Sequence, residues 1–176
     1  MNDTMILVAI GANLPGPWGD EPIETCRRAV SEIGRLPGLR VAAVSRWYRS
    51  APVPPSDQPD YVNGVVRLTG RAEPEALLRR LQAIERRGGR VRGVRDAART
   101  LDLDIVDIGG QLRVAPDPVL PHPRAHQRAF VLLPLQEVAP DWAEPRSGRP
   151  VAVLLAELRN GCGTAGAQVS WPLPYI

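Results

Sequence analysis

Two aspartates, Asp102 and Asp104, are separated by a single residue in the second half of the chain. In an extended segment, residues two apart point to the same side, so both carboxylates would face away from Leu101, Leu103 and Ile105. Their Cα atoms would lie about 7 Å apart, which lets two carboxylates bind one or two divalent cations. A strand with one solvated face gives the same alternation, so the pair alone does not establish a metal site.

Arginines are concentrated directly before these aspartates. All 22 basic residues of the chain are Arg, and the segment from 86 to 99 holds Arg86, Arg87, Arg90, Arg92, Arg95 and Arg99. Guanidinium groups stay charged and offer planar forks of donors, which suits a polyphosphate ligand. A nucleic-acid surface is also possible, but aromatic residues form only 5% of the chain, too few to favour base stacking. We therefore expect no nucleic-acid partner.

Length and composition predict one globular domain over residues 1–176, with a Gly- and Pro-rich tail at 160–176. Residues are 44% hydrophobic and 23% charged, as in ordinary soluble proteins. The sequence has neither an apolar run of membrane-spanning length nor a recognisable signal peptide, so we expect a cytoplasmic monomer with no membrane partner. Cys26 and Cys162 lack metal-ligand spacing and are predicted to be packing residues.

Hydrophobic periodicity predicts the elements that would position the charged residues. Apolar runs and alternation indicate strands, and apolar positions at helical spacing indicate helices. Predicted strands cover 5–10, 39–48, 61–68 and 99–105, and Gly109-Gly110 predicts a hairpin into 112–114. Predicted helices cover 22–36, 74–87 and 150–158, and 129–138 is predicted to be a buried helix or turn. The order β, α, β, β, α, β is that of a ferredoxin-like split β-α-β fold, here with an extra hairpin and C-terminal helices. We therefore expect an α+β protein with one mainly antiparallel sheet, helices on one face, and loops and a ligand on the other.

Two further patterns suggest ligand contacts. The proline-rich loop from Ser50 to Asp60 is long for a connection between strands, and such a loop is costly to order unless it has a function. Asn63 falls within a predicted strand, where Asn is disfavoured, although a solvated strand Asn would explain it equally well. Gln82 and Glu85 lie three residues apart near a helix end, so they share one side of that helix.

Four segments together closely resemble the hydroxymethyl-dihydropterin pyrophosphokinases of folate biosynthesis. They are Gln58-Pro59-Asp60-Tyr61-Val62-Asn63, Gly89-Arg90-Val91-Arg92, Arg99-Thr100-Leu101-Asp102-Leu103-Asp104-Ile105 and Pro121-His122. The resemblance covers about residues 5 to 158. It implies transfer of the diphosphoryl group of ATP to the hydroxymethyl oxygen of a reduced pterin, with release of AMP.

The resemblance also implies roles for individual residues. Asp102 and Asp104 match ligands of two Mg²⁺ ions, and Arg90 and Arg99 match catalytic arginines that neutralise charge on the transferred group and on AMP. The implied ATP-binding residues are Gln82, Glu85, Arg92, Arg95, His122 and Arg128. The implied pterin-binding residues are Ser50, Ala51, Val53, Tyr61, Asn63 and Phe130, the last stacking on the ring.

The chain departs from the family pattern at several positions. Asp96-Ala97-Ala98 replaces a common aromatic-Gly-Pro segment, Pro123 replaces a common Tyr, and Asp117 and Val119 replace nucleotide-contacting residues. A catalytically impaired paralogue, a palm-like nucleotidyl transferase with two aspartates, and a non-catalytic RNA-binding domain are therefore the alternatives. His126 is predicted to lie at the surface, and Trp18, Trp142 and Trp171 are predicted to be packing residues.

Overall fold

A computed structural model describes residues 3–91, 98–161 and the short strand 173–174. Its strands are β1 (Thr4–Ala12), β2 (Leu39–Val44), β3 (Tyr48–Ser50), β4 (Tyr61–Gly70), β5 (Asp102–Ile108) and β6 (Leu173–Pro174). Its helices are α1 (Pro22–Gly34), α2 (Pro74–Arg87), α3 (Ala129–Val138) and α4 (Val151–Arg159), with a 3-10 turn at Ala125–Gln127.

All strand pairs of the sheet are antiparallel. The order is β5-β1-β4-β3-β6, and β2 also pairs with β4. The central strands β1 and β4 pair over their whole lengths, from Thr4 opposite Gly70 to Ala12 opposite Val62. The predicted α+β class is confirmed. Strands β2 and β4, which only the short β3 separates along the chain, are neighbours, as a split β-α-β fold requires.

Helices α1 and α2 cover one face of this sheet. Alternate residues of β1, such as Ile6 and Val8, and of β4, such as Val66, pack against Cys26 of α1 and Leu81 of α2. All five are fully buried. Both helices begin with a proline in the first turn, where the missing N–H costs nothing. Cys26 is a packing residue, as predicted, while Cys162 lies outside the described residues.

The expectation that helices occupy only one face is wrong, because α3 and α4 pack on the other. Leu7 of β1 and Val65 of β4 point to this face and join a second core with Leu132, Leu135 and Leu155. The sequence of α3 is apolar on nearly every side, and a helix of that kind needs burial all round. The second face is therefore shared between an apolar core and the space left for a ligand.

Two predicted strands also differ from the structure. The predicted strand 39–48 is divided, because the Ser45 hydroxyl accepts the Val65 N–H at 2.9 Å beyond the end of β2. The hairpin predicted at Gly109-Gly110 does not form, because residues 112–114 do not pair with β5, and Arg113 instead forms a single bridge with Leu120. The prolines between them lack the N–H groups that a longer ladder requires.

Among the described residues, no helix combines the length and apolar character needed to cross a membrane. Trp142 is buried, and Trp18 packs against the first core, so both are packing residues as predicted. Trp171 lies outside the described residues. The surface position predicted for His126 is wrong in part, since the ring is half-buried and its Nδ1 atom is shielded from solvent.

Candidate active site

Strand register places Asn63 and Asp102 in one row across the sheet and Asp104 in a neighbouring row on the same face. Gly11 of β1 pairs with Asn63 of β4 on one side and with Asp102 of β5 on the other, and Ala9 pairs with Asp104. A Cβ atom at Gly11 would lie 3.4 Å from the Asn63 Oδ1 atom. Because Gly11 has no side chain, nothing projects from the middle of this row, and the row forms the floor of an open cavity.

The cavity has a volume of about 420 Å³ and occupies the half of the second sheet face that α3 and α4 leave uncovered. Fourteen of the sixteen predicted site residues line it: Ser50, Ala51, Val53, Tyr61, Asn63, Gln82, Glu85, Arg90, Arg99, Asp102, Asp104, His122, Arg128 and Phe130. The other two, Arg92 and Arg95, lie outside the described residues. So does most of the Asp96-Ala97-Ala98 departure.

Asp102 is held by two arginines. Its Oδ1 atom accepts a hydrogen bond from Arg90 Nη1 at 2.5 Å, and its Oδ2 atom accepts one from Arg99 Nη1. Burial alone would lower the pKa of Arg99, but the charge and the hydrogen bond of Asp102 outweigh it and raise that pKa. Each arginine uses one nitrogen here, which leaves other N–H donors of each guanidinium for a ligand.

Glu85 reaches this group from the end of α2. Its carboxylate pairs with Arg90 and accepts the backbone N–H of Leu103 at 2.8 Å, on the outer edge of β5. The residue is 3% exposed. Burial raises the pKa of Glu85 to about 7, although the Leu103 and Arg90 contacts act in the opposite direction. The Glu85 carboxylate therefore binds groups of the protein itself. These contacts fix the Arg90 side chain and the edge of β5.

Asp104 is the freer of the two aspartates. Its Oδ2 atom lies 3.7 Å from His122 Nε2, and its side chain is 40% exposed, toward the cavity. Burial, followed by the charge of Asp102, raises the pKa of Asp104 to about 6. Burial, followed by the charges of Arg128 and Arg124, lowers the pKa of His122 to about 4. At neutral pH the imidazole is neutral, so its contact with Asp104 is not a charge pair.

The opposite wall of the cavity is suited to a flat polar ring. Asn63 Nδ2 donates to the Ser50 hydroxyl at 2.8 Å, which fixes the amide and leaves its other N–H and its carbonyl oxygen. Tyr61 donates its hydroxyl to Gln58 Oε1 at 3.3 Å. The Phe130 ring has the Arg128 guanidinium 5.5 Å from its centre. An amide edge and an aromatic face are thus present in the same cavity.

Sequence reasoning missed two residues of this region. Asn13 is 1% exposed and links the segment before Asp102 to the proline-rich loop through its side chain. Arg124 lines the cavity beside His122 and Arg128. Neither belongs to the four family-like segments. An Asn directly after a strand was the only available signal for the first, and a second Arg four residues before Arg128 was the signal for the second.

The carboxylate pair fits a hard divalent cation in donor chemistry. Asp102 and Asp104 offer oxygen atoms from the same face of β5, the ligand type that Mg²⁺ prefers. In the described part of the chain, no group of three or more His, Cys, Asp or Glu residues is arranged to hold a metal. A Mg²⁺ ion here would therefore take its remaining ligands from water and from substrate phosphate, as Mg²⁺ commonly does.

Comparison with known proteins identifies the relatives of this chain. The family profile described as 7,8-dihydro-6-hydroxymethylpterin-pyrophosphokinase (HPPK) matches residues 7–140. The 2-amino-4-hydroxy-6-hydroxymethyldihydropteridine pyrophosphokinase of Pseudomonas aeruginosa is 46% identical over 151 residues, which are 86% of this chain and 90% of that protein. The enzyme of the same name from Synechocystis is 39% identical over 152 residues, 86% of this chain and 75% of that protein.

Solved structures share the fold. A triple mutant of the Plasmodium falciparum HPPK-DHPS protein superposes with a TM-score of 0.70 at 10% sequence identity, covering 94% of this chain and 45% of the longer one. At that identity the likeness concerns architecture alone. The profile match and the two bacterial relatives carry the assignment further: this chain belongs to the 7,8-dihydro-6-hydroxymethylpterin pyrophosphokinase family.

Proposed function

We propose that this protein transfers the diphosphoryl group of ATP to the hydroxymethyl group of 6-hydroxymethyl-7,8-dihydropterin and releases AMP, as a step of folate biosynthesis. One observation carries the proposal: the carboxylates of β5, the arginines Arg90 and Arg99, and the Asn63 amide converge on one cavity. Carboxylates and arginines suit a metal-bound polyphosphate, and the amide suits a pterin edge. Membership of the pyrophosphokinase family supports the same reaction.

In this reaction the bonds that form and break belong to the substrates, and few groups of the protein take part in them. The hydroxymethyl oxygen attacks the β-phosphorus of ATP, the bond from that phosphorus to the oxygen shared with the α-phosphorus breaks, and AMP leaves with the electron pair. The hydroxyl proton passes to solvent. Catalysis of phosphoryl transfer rests mainly on positioning and on charge stabilisation.

Each wall of the cavity has a part in this proposal. Asp102 and Asp104 would hold two Mg²⁺ ions, which polarise the phosphate oxygens and lower the barrier to attack. Arg90 and Arg99 have unused N–H donors and would neutralise the transferred group and the leaving AMP. Asn63 would orient the pterin edge, with Ser50 fixing its amide. The other residues predicted to bind ATP and pterin would complete the two subsites.

The decisive experiment measures AMP release from ATP with the reduced hydroxymethylpterin and Mg²⁺. We expect AMP to appear only when pterin is present, and EDTA to abolish its release. Asp104→Asn should lower turnover by about a thousandfold, because the metal contribution is worth several kcal/mol. Its fold should persist, since Asp104 lies off the apolar face of β5. Asp20→Asn, which removes an exposed carboxylate outside the cavity, is the matched control.

Phosphorus NMR of the products separates the alternatives. Pyrophosphate, with the nucleotide retained on the product, would indicate a nucleotidyl transferase instead. Absence of pterin-dependent AMP at saturating ATP and Mg²⁺ would indicate a catalytically impaired paralogue. Full activity in Asp104→Asn would contradict the role given to this aspartate.

A further inference from the structure

The arginines that line the cavity fall into two pairs, and only one of these pairs is neutralised by carboxylates of the protein. Arg90 and Arg99 are both bonded to Asp102, and Arg90 also pairs with Glu85. Arg124 and Arg128 line the same cavity. Within residues 3–91 and 98–161, no carboxylate oxygen lies within 4 Å of either guanidinium. The first pair is therefore neutralised by the protein and the second is not.

The backbone holds the second pair in place. His122 donates its N–H to the Val106 carbonyl of β5 at 2.8 Å, and His122 Nδ1 accepts the Arg124 N–H at 3.2 Å. The Arg124 carbonyl then accepts the N–H of Gln127, and the Arg128 carbonyl begins the first turn of α3. Arg124 and Arg128 are thus fixed at the two ends of one short turn that is anchored to the sheet.

Arg124 and Arg128 border the same cavity, and the charge of Arg124 acts on Arg128. Burial lowers the pKa of Arg128, and the charge of Arg124 is the next cause. Like charges held near each other and without a counter-ion repel, which costs free energy unless an anion binds between them. The charges of Asp104 and Asp102 act on Arg128 in the opposite direction, but neither carboxylate forms an ion pair with it.

We propose that Arg124 is a nucleotide-binding residue that acts with Arg128 on the phosphate oxygens of ATP. This inference rests on the function proposed above, which supplies the anion. His122 adds a neutral imidazole whose Nε2–H faces the cavity, because its Nδ1 is already an acceptor.

The test compares Arg124→Ala with Arg27→Ala. Both residues are exposed, both substitutions remove one positive charge, and Arg27 lies on α1 away from the cavity. Titration calorimetry with ATP measures binding without turnover. We expect Arg124→Ala to weaken ATP binding by about 10- to 100-fold, the range for one hydrogen bond to a charged group. Adenosine binding and the unfolding midpoint should not change.

The kinetic readout separates this inference from the proposed function. In the AMP-release assay, Arg124→Ala should raise KM for ATP by a similar factor while KM for pterin stays constant. If the wild type binds ATP but releases no AMP, the proposed function fails while the calorimetric result still decides the role of Arg124. ATP affinity equal to that of Arg27→Ala would overturn the inference, as would an equal loss of adenosine binding.

Discussion

The two aspartates of β5 have different environments although they are two residues apart. Both oxygens of Asp102 accept hydrogen bonds from arginines, whereas Asp104 faces the cavity beside a neutral His122. The difference arises because Asp102 lies three residues from Arg99 and shares Arg90 with Glu85 of α2. Asp102 therefore organises the arginines, while Asp104 offers its oxygens to what enters the cavity.

The side chain of Asn13 joins the Arg99 segment to the proline-rich loop. Its Oδ1 atom accepts the Arg99 N–H at 2.8 Å, and its Nδ2 atom donates to Gln58 Oε1 at 3.2 Å and to the Pro59 carbonyl at 3.1 Å. One buried amide thus holds the Arg99 segment against the proline-rich loop beside the cavity.

We expect Asn13→Ala to lower the free energy of unfolding by about 1–3 kcal/mol, because it leaves buried donors and acceptors without partners. It should also raise KM for pterin, since the loop loses an anchor. Urea unfolding and AMP-release kinetics are the measurements. Asn13→Asp keeps the acceptor for Arg99 but loses the donors to Gln58 and Pro59, so it should raise KM for pterin while retaining more of kcat. Equal kinetics for wild type and Asn13→Ala would contradict this linking role.

The local alternation of apolar and polar residues was sufficient to predict which face of the sheet a side chain occupies. Period-two alternation placed Asp102 and Asp104 on one face, and the same rule placed Asn63 on the face opposite Val62 and Val66. The link made by Asn13 joins residues 45, 46 and 86 positions apart. No periodicity encodes such contacts, so they follow only from the tertiary fold.

At the scale of elements, the position of β3 depends on α3. Glu137 near the end of α3 accepts the Arg46 backbone N–H at 2.8 Å and Arg46 Nε at 2.9 Å, and also accepts the Tyr48 hydroxyl. These contacts lie where the predicted continuous strand divides into β2 and β3. Sequence periodicity could not reveal the division, because the partner that stabilises it lies about 90 residues away. Since Ser50 ends β3, this link also positions one wall of the cavity.

Glu137→Gln should therefore destabilise the protein in a pH-dependent manner. Burial would raise the pKa of Glu137, but hydrogen bonds from Arg46 and Tyr48 lower it overall. A carboxyl whose pKa is lower in the folded state stabilises above its unfolded pKa, and that contribution is lost as pH falls through the folded value. We expect Glu137→Gln to lower the free energy of unfolding by about 1 kcal/mol at pH 7. The effect is small because Arg46 is solvent-exposed, so that water screens its charge.

The measurement is urea unfolding of wild type and Glu137→Gln between pH 3 and pH 7. The difference between them should be constant near neutrality and shrink below about pH 4.5, the ordinary pKa of the group. Glu73→Gln is the matched control, because this exposed carboxyl forms no side-chain hydrogen bond or ion pair with the described residues. A difference that persists unchanged at pH 3 would mean that shape, rather than charge, accounts for the effect.

At the scale of the molecule, one sheet serves two cores and a cavity. Helices α1 and α2 cover the first face, α3 and α4 cover part of the second, and the cavity takes the remainder. Side chains from both layers meet there, with Glu85 coming from α2 and Phe130 from α3. This division was missed in the sequence because a uniformly apolar helix does not indicate which face it covers.

The two cores should unfold together, because both are built on β1, β4 and β5. Trp142 tests this in the second core, where its indole N–H donates to buried Asp107 at 3.0 Å. Trp142→Phe should lower the free energy of unfolding by about 2–3 kcal/mol, since it leaves a buried carboxyl without that donor. Trp18→Phe, at the half-buried edge of the first core, should lower it by less. Far-ultraviolet circular dichroism and tryptophan fluorescence should give coincident urea transitions in the wild type. A separate early transition confined to α3 and α4 would show instead that the second layer folds independently of the sheet that carries the aspartates.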